Sequence, residues 1–193
     1  MNIAELKRQI LHVLIGIIFL FSIIYKLITP LQLFILLVIS GIFGFLSLKY
    51  KIPILDFFLE KFERKNTEFP GKGFIMFLAG TLLVLKLFPL NIALASIIIL
   101  TFADPVSHFI GENFGHFKIL QNKKNIEGNI AGIIVSSLLA MFFVHPCLAI
   151  AGSLTAMLFE SLIIEIQKIK LDDNLIIPLI AGTIMFLIQK FLI

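Results

Sequence analysis

Seven predominantly apolar runs follow one another along this chain, at 9–28, 31–48, 73–88, 91–110, 126–144, 147–164 and 174–192. A helix that crosses a bilayer needs roughly 20 such residues, because the hydrocarbon core is about 30 Å thick and each residue rises about 1.5 Å. In that solvent every backbone N–H and C=O must be satisfied within the segment. The runs therefore predict an all-α polytopic membrane protein with about seven transmembrane helices. The 59% share of hydrophobic side chains agrees, since water-soluble globules hold roughly 45–50%. The first run follows Lys7 and Arg8 but has no small-x-small cleavage site, and is expected to be retained. No linker or repeat divides residues 1–193, so a single integral-membrane helical domain is expected.

Between the second and third runs, Leu55, Phe58, Leu59 and Phe62 recur at i, i+3, i+4 and i+7, with Asp56, Glu60, Glu63 and Arg64 elsewhere around the turn. That pattern predicts one amphipathic helix lying in the membrane interface, with Pro53 in its first turn.

Of the 16 Lys and Arg residues, 13 fall in alternate loops beginning with the N-terminus; Lys26, Lys86 and Lys190 fall on the other side. The positive-inside rule then makes the N-terminus cytoplasmic and the C-terminus external, in a multi-pass protein of the cell membrane. The net charge of +4 is accounted for by orientation, and no nucleic-acid partner is expected. All 12 acidic residues also lie on or near the cytoplasmic side. Acids contribute little to orientation, so their asymmetry predicts a polar site facing the cytosol. Cys147 is the lone cysteine, which excludes an intrachain disulfide. No pattern in the chain speaks to oligomeric state.

The stretch from Thr101 to Gly132 is the most polar intrusion into this apolar chain. An ionised Asp near the centre of a spanning helix costs ~2.5–3.5 kcal/mol on insertion scales, and such residues are usually paired and functional. Asp104 is one. Pro105 beside it has no N–H to give the Thr101 carbonyl, so the helix is expected to kink or restart there with Asp104 as its cap. Asp104, His108 and Glu112 recur every four residues and share one helical face, either as a polar seam between helices or as part of a site. The loop that follows holds Gly111, Gly115, Lys118, Lys123, Lys124 and Asn125. Glycines let backbone N–H groups approach an anion, and the next helix N-terminus favours phosphate. A positive-inside loop explains the lysines equally well, and no Walker A pattern occurs.

Further along, Gly128, Gly132, Ser136 and Ala140 form a strip of small residues suited to close helix packing. Gly152, Ala156 and Glu160 share a face, which directs Glu160 into the bundle. Asp172, Asp173 and Asn174 precede the last run and read either as helix N-caps or as carboxylates for Mg²⁺, which takes one or two carboxylates together with substrate phosphates. Near the N-terminus, Arg8 and His12 share a face as an interfacial anchor or an anion contact.

Taken in order, Arg8 and His12, Ala103-Asp104 with Gly111 and Phe114-Gly115, Lys124-Asn125-Ile126-Glu127-Gly128, and Glu160 with Asp172-Asp173-Asn174 and Pro178 resemble the CTP-dependent lipid kinases. That family includes dolichol kinase, phytol kinase and the yeast-type diacylglycerol kinase, and shares motifs with phosphatidate cytidylyltransferases. The resemblance runs over nearly the whole chain. Asn125 stands where the family commonly has serine, His116 where it has lysine, and Pro105 where it has alanine.

The resemblance implies a membrane helical bundle that moves the terminal phosphate of CTP to a lipid alcohol with a divalent metal, Mg²⁺ or another. On that basis Asp104 or Glu127 is the catalytic group that takes the alcohol proton. Arg8, His12, Gly111, Gly115, Lys118, Lys123, Lys124 and Gly128 contact the nucleotide. Asp104, Glu112, Asp172 and Asp173 hold the metal, with His108, Asn125, Glu160 and Asn174 in support. The expected acceptor is a membrane isoprenoid alcohol of the dolichol or polyprenol type, phosphorylated at the cytoplasmic face. Cytidylyl transfer onto a phosphatidate-like lipid is the alternative, and a transporter or a non-catalytic scaffold are the other classes weighed. Transporters typically set acids near the midplane between repeats, whereas these acids crowd one side.

Overall fold

A computed structural model describes residues 3–63, 69–118, 125–166 and 172–192. Among the described residues eight helices follow one another: α1 (Ile3–Ile24), α2 (Pro30–Ser47), α3 (Pro53–Phe62), α4 (Lys72–Leu87), α5 (Leu90–Phe114), α6 (Ile126–Ala140), α7 (Pro146–Ile166) and α8 (Asp173–Leu192). Among the described residues there is no strand, only one isolated bridge between Lys118 and Asn125. Each apolar run of the sequence is thus a helix, and α3 is the amphipathic segment between the second and third.

Four of the helices, at 5–24, 30–47, 90–114 and 173–191, are long and apolar enough to cross a membrane. The other three expected spans are helical but shorter: 16 residues in α4, 15 in α6, and an apolar stretch Pro146–Ser161 in α7. Side chains within the chain mark the helix ends. Thr29 and Gln32 form a reciprocal capping box ahead of α2, whose first residue is Pro30. Gly71 precedes α4 at φ 75°, a left-handed conformation that glycine adopts without a Cβ penalty, and its N–H donates to Glu63 Oε1 at 2.8 Å.

The bundle is built around α5. Every residue from Ile92 to Thr101 is buried, and α1, α4, α6, α7 and α8 all pack against this one helix. Small residues allow the closest of these approaches. A Cβ on Gly132 of α6 would come within 2.6 Å of the Ala103 carbonyl, and one on Gly152 of α7 within 2.9 Å of Met185 on α8. Lipid tails are as apolar as the helices themselves, so contacts of this kind, and not water exclusion, hold such bundles together. In contrast α2 leans chiefly on α4 and leaves most of its surface outward.

One expectation is overturned. α5 continues unbroken through Pro105, and Asp104 sits in mid-helix, not at a cap. A proline inside an unsupported helix costs about 3 kcal/mol and breaks or kinks it. Here helices on all sides fix the backbone course, which is the setting in which membrane helices tolerate proline.

Candidate functional site

Three helices bring carboxylates to one place. Asp104 from α5, Glu160 from α7 and Asp173 from α8 each offer one oxygen, and these oxygens all lie within 4.8 Å of one another. Glu160 is 2% exposed, while Asp104 and Asp173 are half-buried. Carboxylates this close repel one another unless a cation or a proton lies among them. An all-oxygen donor set fits a hard divalent cation such as Mg²⁺, which keeps several waters and takes substrate phosphates on its remaining positions.

The three residues that open α8 divide the work between them. Asp172 caps the helix: its Oδ1 accepts from the Asn174 N–H at 3.1 Å, and its carbonyl accepts from Leu175 and Ile176 at 3.0 and 3.2 Å. Asp173, next in line, is left to face Asp104 and Glu160. Asn174 turns the other way and donates its amide to the Gly73 carbonyl at 3.2 Å, which ties α8 to the start of α4. The same α4–α8 seam is tight at Gly80, where a Cβ would meet Pro178 Cγ at 3.1 Å.

The loop after α5 is closed at its base. Ile126 N–H donates to the Phe117 carbonyl at 2.9 Å, Lys118 pairs with Asn125, and the Asn125 amide donates to the Gly111 carbonyl. Glu127 completes the closure. Its Oε1 accepts from the backbone N–H groups of His116 and Phe117 at 2.8 and 3.1 Å, and its Oε2 from Phe117 at 3.3 Å. The backbone donors that the sequence suggests for an anion are here turned onto the chain's own carboxylate. That arrangement suits a group that shapes the loop more than one that takes a proton.

Near the N-terminus, Arg8 bonds Glu5, and Gln9 also donates to Glu5 at 3.1 Å. His12 lies within 3.2 Å of the Leu100 carbonyl through Nε2 and stands edge-on to Phe77. That contact sets this end of α1 against α5 one helical turn before Asp104.

The remaining residues expected of the site are dispersed. Glu112 pairs with His108, Nδ1 to Oε1 at 3.9 Å, toward the exposed end of α5. It shares a face with Asp104, but eight residues of helix separate them by roughly 12 Å, too far to ligate one ion. Glu160 takes the place in the carboxylate group that Glu112 was expected to hold. Gly115 closes α5, with its N–H on the Gly111 carbonyl at 3.1 Å. Gly128 is a packing residue, with the Ser107 carbonyl and Gly111 directly against its Cα. Lys123 and Lys124 lie outside the described residues.

A polar chain that the motifs do not point to lies beneath the carboxylates. Ser107 Oγ donates to Asn129 Oδ1 at 3.0 Å, Asn129 Nδ2 donates to Ser161 Oγ at 2.6 Å, and Ser161 donates on to the Met157 carbonyl at 2.9 Å. All three side chains are buried. The signal in the sequence is an amide placed inside an apolar run, beside the small-residue strip.

If Glu127 shapes the loop, Glu127→Gln lowers the turnover of phosphate transfer by less than the ~10²–10⁴-fold that loss of a general base brings. It should also speed amide hydrogen exchange at His116 and Phe117. A larger turnover loss with unchanged exchange would return Glu127 to the role of base.

Over 185 residues the chain is 31% identical to the uncharacterized protein MJ1137 of Methanocaldococcus jannaschii, covering 93% of this chain and 92% of that one. The chain belongs to that protein's family. It is also 25% identical over 145 residues to the CTP-dependent diacylglycerol kinase 1 of Schizosaccharomyces pombe. That second match takes in 65% of this chain and 64% of the yeast protein. No protein-family model matches the chain, and no solved structure matches it.

Proposed function

We propose that this protein is a CTP-dependent lipid kinase that moves the terminal phosphate of CTP to the hydroxyl of a membrane alcohol of the dolichol or polyprenol type. The observation that carries the reading is the meeting of Asp104, Glu160 and Asp173 from three separate helices. It is supported by the similarity to the yeast CTP-dependent diacylglycerol kinase. Phosphoryl transfer asks for positioning and charge neutralisation more than for covalent chemistry by the protein. Asp104, Glu160 and Asp173 would hold a divalent ion, which would supply that neutralisation. Arg8 and Lys118, with Lys123 and Lys124, add positive charge for the same phosphates, and the closed loop from Gly111 to Glu127 sets the edge of the nucleotide site. The lysine bias supports a cytoplasmic face for this end of the bundle, where a soluble nucleotide meets a bilayer alcohol.

Membranes holding the protein, incubated with CTP labelled at the γ-phosphate, should yield labelled lipid. Label confined to pyrophosphate would replace this reading with cytidylyl transfer. Offering polyprenol and diacylglycerol in parallel identifies the acceptor; labelling of diacylglycerol alone would overturn the isoprenoid assignment.

A further inference from the structure

Two of the carboxylates sit on helices that touch little. Asp104 is on α5 and Glu160 on α7; α5 and α7 make few contacts with each other, while α6 and α8 each pack on both. The distance between these two carboxylates is therefore set through α6 and α8, and on the α6 side it can be traced to named side chains. From α6, Asn129 reaches both neighbours with directional bonds, to Ser107 on α5 and to Ser161 on α7. Ser107 follows Asp104 by one helical turn, and Ser161 is the residue after Glu160.

The bridge runs in one sense: Ser161 donates to the Met157 carbonyl and its oxygen accepts from the Asn129 amide nitrogen. The amide oxygen then faces Ser107, which supplies its own proton. Both hydroxyl protons, one amide proton and the amide oxygen are engaged at 2.6 to 3.0 Å, which restrains the three helices against one another. Opposing it is the mutual repulsion of three carboxylates, strongest when no cation is bound.

We propose that Asn129 is a positioning residue: by bridging Ser107 and Ser161 it holds Asp104 and Glu160 at ligating distance and so sets the affinity of the carboxylate group for a divalent cation. The inference rests on the reading of that group as a cation site. Its small neighbours make the bridge possible, because Gly128 and Gly132 let α6 come close enough to α5 for so short a side chain to span the gap.

The test is Mn²⁺ binding, read by electron paramagnetic resonance on the purified full chain in detergent, with no nucleotide or lipid present. Asn129→Ala should raise the Mn²⁺ Kd about tenfold, the lower end of what loss of a supporting partner costs a metal site. Helix content by circular dichroism should not change. Ser107→Ala should raise it less, and the double variant no further than Asn129→Ala, because the two remove one connected bridge. Ser153→Ala, buried on α7 away from the bridge, should bind as the unaltered chain does. A general loss of fold would reduce the number of binding chains without changing the affinity of those that bind. An unchanged Kd in Asn129→Ala overturns the inference and leaves the cation site standing. If the unaltered chain binds no Mn²⁺, the cation site falls and the inference with it. Should Asn129→Ala fail to fold, Ser107→Ala decides: a several-fold rise supports the bridge, and an unchanged Kd overturns it.

Discussion

Asp104→Asn should abolish phosphate transfer while the protein remains inserted and helical. The substitution keeps the shape of the side chain and removes one of three carboxylates that meet within 4.8 Å. Two effects follow, with opposite signs on two observables. Without metal, one source of repulsion is gone, so the apo protein should melt no lower than the unaltered chain. With metal, the stabilisation that binding adds, which grows as RT ln(1 + [L]/Kd), should be lost because the affinity has collapsed. Transfer from γ-labelled CTP should fall on the order of 10²–10³-fold or more, the scale seen when a group that stabilises developing charge is removed. The checks are the labelled-lipid assay together with melting curves taken with and without Mg²⁺. Near-normal transfer, or a full Mg²⁺ response in the variant, would remove Asp104 from the site.

The other large effect is expected from the smallest change. Gly128→Ala should destabilise the fold itself, although Gly128 belongs to the motif assigned to nucleotide contact. A Cβ there would overlap the Ser107 carbonyl and come within 2.9 Å of Gly111 N and Cα. Those atoms are backbone and cannot rotate aside. The cost should therefore reach or exceed the ~1–3 kcal/mol typical of overpacking against side chains. Expected results are a lowered melting temperature and a smaller monodisperse fraction in detergent, with or without CTP. A variant that folds normally and loses only CTP affinity would make Gly128 a ligand contact instead.

The helices are legible in the chain because lipid imposes one demand on every segment, and the apolar runs answer it locally. The α3 helix is legible for the same reason, from Phe58, Leu59 and Phe62 at helical spacing. Glu160 was directed inward by its place beside Gly152 and Ala156, all three of which are buried. Its meeting with Asp104 and Asp173 could not be read, since that depends on how three helices are rotated about one another. Glu112 shares a face with Asp104 but lies two turns along the axis from it, and the group closes on Glu160 instead. Asp172 and Asp173 look alike in sequence, and only the start of α8 between them makes one a cap and turns the other toward Asp104 and Glu160. Pro105 does not restart α5, since the local rule describes a helix without neighbours, whereas α5 has them on all sides.

The carboxylates are also ordered in time. Asp104 is made before Glu160, and Glu160 before Asp173. During synthesis Asp104 must enter the bilayer alone, at a cost of ~2.5–3.5 kcal/mol if ionised, and its companions arrive only with the last two helices. Until α8 is inserted, the nascent protein has no complete carboxylate group. Assembly of the bundle and acquisition of the site are thus one event, completed at the C-terminal end of the chain.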